Sequence, residues 1–288
     1  MALIANILYP VDFSPSCVAM AAYVKRAAAL FGAKVSLVYV VDPARYSGLE
    51  LYERPPFEVQ EEHLSVSRER LDSFLIAEFP ASDYPRILAS GDAASEIAQV
   101  ARNGRFDLII MPTHAGIFRR MLLGSTTAKV INDADCPVLT STHAELIAPR
   151  PLHHRDWLCA IGLGANSERV LRFANAAAAE AHSRLTIVHA VQAADASLPI
   201  QLDLEEQVQS EERRQAARRI AELQRNVGLE VPVRIAVGPV KDALLEAVRQ
   251  SDADALIIGR NHHPGASGRL RDLTYAVVRD SPFPVLSV

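Results

Sequence analysis

Three short stretches hold residues whose types and spacing suit ligand chemistry. In YPVDFS, Asp12 stands directly after an apolar run. A carboxylate there can accept hydrogen bonds from an adenine amino group or a ribose hydroxyl. It could instead cap the helix that begins at Pro15, although Ser14 suits that job better. In MPTHAGIFRRMLLGSTTAKV, residues 111–130, Gly124 permits a tight turn. The amides that follow it point out of a helix N-terminus, where partial positive charge attracts anions. Ser125, Thr126 and Thr127 add hydroxyl donors, and Arg119 and Arg120 are close enough in sequence to reach a phosphate. The competing reading is an ordinary strand–loop–helix turn with surface arginines. His114, in the same loop, can also hydrogen-bond a ligand. In SGDAASEI, Asp92 reads as a helix cap with Glu96 in the first turn, and Gly91 lets a ligand approach the backbone.

Other chemistry finds less support. No HExxH, GxSxG or Walker A pattern occurs, and no nucleophile–base pair or carboxylate cluster suited to hydrolysis is evident. His153–His154 and His262–His263 are adjacent pairs. Neighbours on a strand point to opposite faces, so neither pair alone is a chelate, and no metal site is expected. Cys17 lies in an Ala-rich helical stretch and reads as a packed small residue.

The bulk composition narrows the classes further. Of 288 residues, 49% are hydrophobic, which is enough for a substantial core, and 22% are charged, as in a soluble globular protein. A net charge of −4 gives no general attraction to nucleic acid or anionic membrane, so neither is an expected partner. Arg213, Arg214, Arg218 and Arg219 are interleaved with Glu211, Glu212 and Glu222, the pattern of a solvated helix face. The 3 cysteines contain no CxxC pair and suggest a reducing compartment. MALIANILYPVDFS has no positive leader, and no apolar run reaches about 18 residues. The expected location is cytoplasmic.

The elements that must position these residues occur twice. ANILYPVDFSPSCVAMAAYVKRAAALFGAKVSLVYVVD is echoed by DWLCAIGLGANSERVLRFANAAAAEAHSRLTIVHAV. FDLIIMPTH is echoed by ADALIIGRN, and DCPVLTS by PFPVLSV. Each copy reads β-α-β-α-β-α-β-α-β, with short, nearly continuous apolar strands. That pattern predicts an α/β fold: two tandem Rossmann-like domains, each a five-stranded parallel sheet with helices on both faces. The expected domains are residues 1–146 and 153–288. Ligands of such sheets sit beyond the strand C-termini, at the switch in strand order. In copy two Gly162 faces Asp12 in the comparison, and Arg271 and Asp272 face Gly124 and Ser125. An aspartate at a phosphate position repels a polyanion, so copy two is not expected to hold a triphosphate in this geometry.

The ordered motifs ILYPVDFS, VSLVYVVD, SGDAASEI, DLIIMPTH and RRMLLGSTTAKVINDADCPVL resemble the universal stress protein family. CAIGLG, LTIVHAV, VGPVKDALL, DALIIGRN and SPFPVLSV resemble it more faintly. The resemblance implies an adenine nucleotide alpha hydrolase-like fold and, in ATP-binding members, a loop of the form G-x2-G-x9-G-S/T. Carried over, the candidate binding set near the first two strands is Pro10, Val11, Asp12 and Val40. From the loop it is Met111, Thr113, Gly116, Gly124, Ser125, Thr126 and Thr127. Pro112 and Ala115 stand where the first two loop glycines belong, and the loop is one residue short; Gly116 can substitute by a one-residue shift. The expected cofactor is ATP or another adenine nucleotide in domain 1 only, in a non-catalytic stress-response protein. The rivals are a nucleotide-independent scaffold and a slow ATP hydrolase using Asp42. The expected partners are an unidentified protein, the chain's own second domain through the last strands CPVLTS and FPVLSV, and a second copy as a homodimer.

Overall fold

Short aliphatic runs alternating with longer amphipathic stretches set the element order. The computed structural model describes residues 2–43, 56–113, 123–141, 155–192, 202–260 and 269–288. The chain divides into two units, Met1–Leu152 and His153–Val288. Unit 1 contains β1 (Asn6–Pro10), α1 (Pro15–Phe31), β2 (Lys34–Val41), α2 (Pro56–Ser73), β3 (Arg86–Ser90), α3 (Ala93–Asn103), β4 (Leu108–Pro112), α4 (Ser125–Asp133) and β5 (Val138–Ser141). Unit 2 contains β6 (Asp156–Ala160), α5 (Ser167–Glu180), β7 (Arg184–Val191), α6 (Leu202–Val227), β8 (Val233–Val237), α7 (Val240–Ser251), β9 (Ala255–Ile258), α8 (Arg269–Asp280) and β10 (Val285–Ser287).

Within unit 1 the strands lie in the order β3-β2-β1-β4-β5, and within unit 2 in the order β8-β7-β6-β9-β10. The paired strands inside each unit run parallel. Chain order reverses between β1 and β4, and again between β6 and β9, which creates the switch point where such sheets take ligands. Ile7, Leu8, Tyr9 and Pro10 are all buried in succession, as are Leu108 to Pro112. Side chains on a strand alternate faces, so an unbroken buried run means the sheet is covered on both. The expected Rossmann-like α/β fold is the observed one.

The duplication reaches into single hydrogen bonds. Asp107 Oδ2 accepts from the amides of Ala5 and Asn6, both at 2.9 Å, and so fixes β4 against the start of β1. Asp254 Oδ2 does the same for Arg155 and Asp156, at 2.6 and 3.0 Å. Phe13 and Leu163 share a left-handed backbone, with φ of 62° and 55°.

One helix differs from its expectation. The sequence predicts a helix over Phe57–Phe79, but α2 ends at Ser73. Leu75 adopts φ 51° and breaks the spiral. The guanidinium of Arg86 then collects the released carbonyls: it donates to Leu71 O, to Phe74 O at 2.8 Å and to Phe79 O at 2.7 Å. The apolar period continues through Phe79 because that ring is fully buried, not because the helix persists. Among the described residues no helix is long and apolar enough to cross a membrane.

Candidate functional site

In unit 1 the turn after β1 is built around one carboxylate. The Val11 amide still pairs with Val38 O at 2.8 Å, so Asp12 is the first residue to leave the sheet, and it is exposed. Its Oδ1 accepts the Ser14 amide at 3.0 Å and the Cys17 thiol at 3.1 Å. Both bonds fall on Oδ1, and neither uses Oδ2 of this exposed residue. Ser14 caps α1 through Oγ, which accepts the Cys17 amide at 3.3 Å, and Pro15 occupies the first turn. Capping therefore belongs to Ser14 and not to Asp12.

Cys17 is a packed residue, as expected, and also a hydrogen-bond donor. Burial pushes its thiol up to about 12, and the neighbouring Asp12 adds to the shift. It is therefore a protonated donor and not a nucleophile. Burial likewise raises the Tyr9 hydroxyl, which donates to the carbonyl of Cys17.

Beside this turn lies an aromatic cluster that the sequence did not reveal. Phe13 packs on Tyr39 with ring centroids 4.4 Å apart, and meets Phe74 edge-on at 5.1 Å. The Arg70 guanidinium sits 4.2 Å over the same ring. Its members come from three separate elements, so no local spacing announces it. Val40, half-buried, pairs with Ala89 near the end of β2. Gly91 follows β3 with φ 149°, a backbone that glycine tolerates, and its amide donates to Val41 O at 2.9 Å. Asp92 caps α3 through Ser95, as expected, and its other oxygen meets Lys129 Nζ at 3.2 Å.

The second wall comes from β4 and α4. Met111 is buried. Thr113 is buried too, and its amide and hydroxyl both donate to Ser141 O at 3.2 Å. Thr113 O accepts the Gly124 amide at 2.9 Å, which ties one end of the loop to the other. Gly116, His114, Ala115, Arg119 and Arg120 lie outside the described residues. Gly124 has φ −58°, so its role is not a left-handed turn. A Cβ there would come 3.3 Å from Thr113 O, so glycine serves close approach. The N-terminus of α4 carries no side-chain cap, and Ser125 there is exposed. The Thr127 hydroxyl donates to Pro112 O at 3.1 Å and pins the helix start to the strand end. Ser125 and half-buried Thr126 are the hydroxyls left at that end.

Unit 2 holds a cavity of about 400 Å³ at the same place in its sheet. Strand registers pair Leu8 with Ile109 in unit 1 and Leu158 with Leu256 in unit 2, which makes Leu8 equivalent to Leu158 and Ile109 to Leu256. Gly162 then corresponds to Asp12, Ala190 to Val40, Ile258 to Met111 and Thr274 to Thr127, and all four unit 2 residues line the cavity. The sequence comparison predicts no triphosphate in this unit, and the space itself is not announced by any motif. Its signal was the loss of side chains at Gly162 and Gly164. The histidine pairs and the side chains of Arg271 and Asp272 lie outside what is described. Among the described residues no three His, Cys, Asp or Glu side chains gather where they could hold a metal.

Comparison with known proteins gives a consistent picture. The model of the universal stress protein family matches residues 4–141 and again 155–288. A universal stress protein of Methanocaldococcus jannaschii is 31% identical over 144 residues, covering 48% of this chain and 81% of its own. One from Thermus aquaticus is 31% identical over 139 residues, covering 46% of this chain and 96% of its own. A crystal structure of a universal stress protein from Archaeoglobus fulgidus covers 98% of this chain and 97% of that one, with a TM-score of 0.69 at 20% identity.

Proposed function

The chain belongs to the universal stress protein family as two tandem family domains, and from that premise we propose that unit 1 binds ATP or another adenine nucleotide without turning it over. Binding would act as a conditional signal in a cytoplasmic stress response, shifting the loops around the site and so a protein-facing surface. The observation that carries this reading is the pairing of two features beyond the sheet's C-terminal edge. One is exposed Asp12, whose Oδ2 is not used by the Ser14 and Cys17 bonds. The other is the α4 N-terminus, without a side-chain cap. The first suits a ribose or adenine donor and the second a phosphate.

The experiment is equilibrium dialysis of the full chain against labelled ATP, with Asp12→Ala and Ser125→Asp as variants. Ser125 is exposed, so an aspartate there tests charge with little effect on packing. Each substitution is expected to weaken binding about tenfold or more, since hydrogen bonds to charged groups are worth about 1.5–3 kcal/mol. Unchanged affinity in both variants places the nucleotide elsewhere. Single-turnover incubation with Mg²⁺ is expected to show no hydrolysis above background; turnover lost on changing Asp42 would favour the hydrolase instead.

A second reading, a scaffold that binds no nucleotide, has specific support. Pro112 has no amide proton to offer, and the hydroxyls of Thr113 and Thr127 are already engaged. ATP that is not retained at millimolar concentration would favour it. Pairing through the last strands and a further homodimer rest on family membership alone; light scattering tests the homodimer.

A further inference from the structure

We propose that unit 2 binds an uncharged, largely apolar small molecule carrying one hydrogen-bond donor, seated in the cavity at the ends of β6 and β9. The proposal does not depend on the nucleotide reading of unit 1. The cavity's volume, about 400 Å³, falls in the usual range for small-molecule sites, about 300–1,000 Å³. Its walls are mainly aliphatic, with Val170, Leu244, Ile258 and Val277 prominent. Among the described lining residues there is no aspartate, glutamate, lysine or arginine. A polyanion placed here would lose its water and gain no counter-charge from these walls. An apolar body would gain about 25 cal/mol for each Å² withdrawn from water.

Two details sharpen the class. Gly162 stands where unit 1 carries Asp12, and a Cβ built on it meets nothing within 4 Å, so the mouth is open on that side. Two of the three helices that border the cavity carry acidic first-turn residues, Glu168 on α5 and Asp242 on α7, which offset the partial positive charge at those two N-termini; the third, α8, lines it through Leu273, Thr274 and Val277.

His189 supplies an acceptor beside the lining's other polar side chains, Asn166, Ser167 and Thr274. Its Nδ1 lies 2.8 Å from Ile161 O. A carbonyl only accepts, so Nδ1 carries the proton and Nε2 of the neutral ring is an acceptor. His189 and Ala190 also border a smaller hollow of about 220 Å³ whose lining includes Gln192, Glu212, Gln215 and Arg219. An apolar body in the inner space with its donor at His189 therefore has a polar exit beside it.

The test uses the full chain carrying Ser125→Asp, which weakens nucleotide binding in unit 1, titrated with 1-aminoanthracene. This probe is flat and uncharged at neutral pH and has one amine donor. The expected result is saturable fluorescence enhancement at one equivalent per chain, undisturbed by millimolar ATP. Anthracene-1-sulfonate, with the same body and a fixed negative charge, is expected to bind about tenfold or more weakly. Gly162→Trp, whose side chain enters open space, is expected to reduce aminoanthracene binding at least about tenfold with the melting temperature unchanged. His189→Phe is expected to weaken aminoanthracene several-fold while leaving plain anthracene unaffected. Binding that does not saturate, that survives Gly162→Trp, that yields to ATP, or that is equally tight for the sulfonate overturns the proposal.

Discussion

Asp12 is exposed, and only one of its carboxylate oxygens organises the turn into α1. The same arrangement makes Cys17 testable. Burial is the larger cause of its raised pKa and Asp12 the smaller. At pH 8, mass spectrometry after iodoacetamide treatment should therefore find Cys17 unmodified in the folded chain, and still nearly so in Asp12→Ala. Rapid labelling in that variant would make the aspartate, and not burial, the protecting feature. The sign of the linked stability effect follows. A thiol whose folded pKa lies above its unfolded value adds stability that is fully present below pH 9. That contribution is lost as pH rises towards about 12, because the unfolded chain releases the proton first. Cys159, raised to about 12 by burial alone, acts in the same direction. Asp12 was legible in the sequence because a polar residue directly ends an apolar run. The thiol donor beside it was not, because a cysteine on an Ala-rich helix looks the same whether or not its Sγ finds a partner.

At the scale of elements, strands were easier to read than helix ends. The sequence predicts strands at Lys34–Val41 and Val138–Ser141 and helices at Pro15–Phe31 and Ala93–Asn103, and β2, β5, α1 and α3 lie there, because apolar period and capping residues are local signals. The end of α2 was misread because Arg86, on β3, decides it from a distance. Its guanidinium serves the carbonyls of Leu71, Phe74 and Phe79 together. Arg86→Met should lower stability by about 2–4 kcal/mol in urea melts, since several carbonyls lose a charged donor at once. A loss below about 0.5 kcal/mol would show that water serves those carbonyls equally well. The aromatic cluster on Phe13 escaped the sequence reading for a similar reason: Phe74 and Arg70 reach it from α2 and the turn after it.

At the scale of the whole molecule, one frame is used twice with different ends. The paired aspartates Asp107 and Asp254, and the left-handed residues Phe13 and Leu163, repeat in both units. These belong to the scaffold and were visible as repeated sequence. The residues at the switch point differ: Asp12 against Gly162, Tyr39 against His189, Pro112 against Gly259. Those substitutions mark what unit 2 lacks. They could not report the volume left behind, because that depends on three helices, α5, α7 and α8, drawn from separate parts of the unit. The account therefore assigns the nucleotide to one unit and a different ligand chemistry to the other. The most direct test is the number of ATP molecules bound per chain at saturation, by calorimetry on the full protein. The account predicts one, weakened about tenfold or more in Ser125→Asp and untouched by Gly162→Trp. Two per chain, one of unchanged affinity in Ser125→Asp, or none would contradict it.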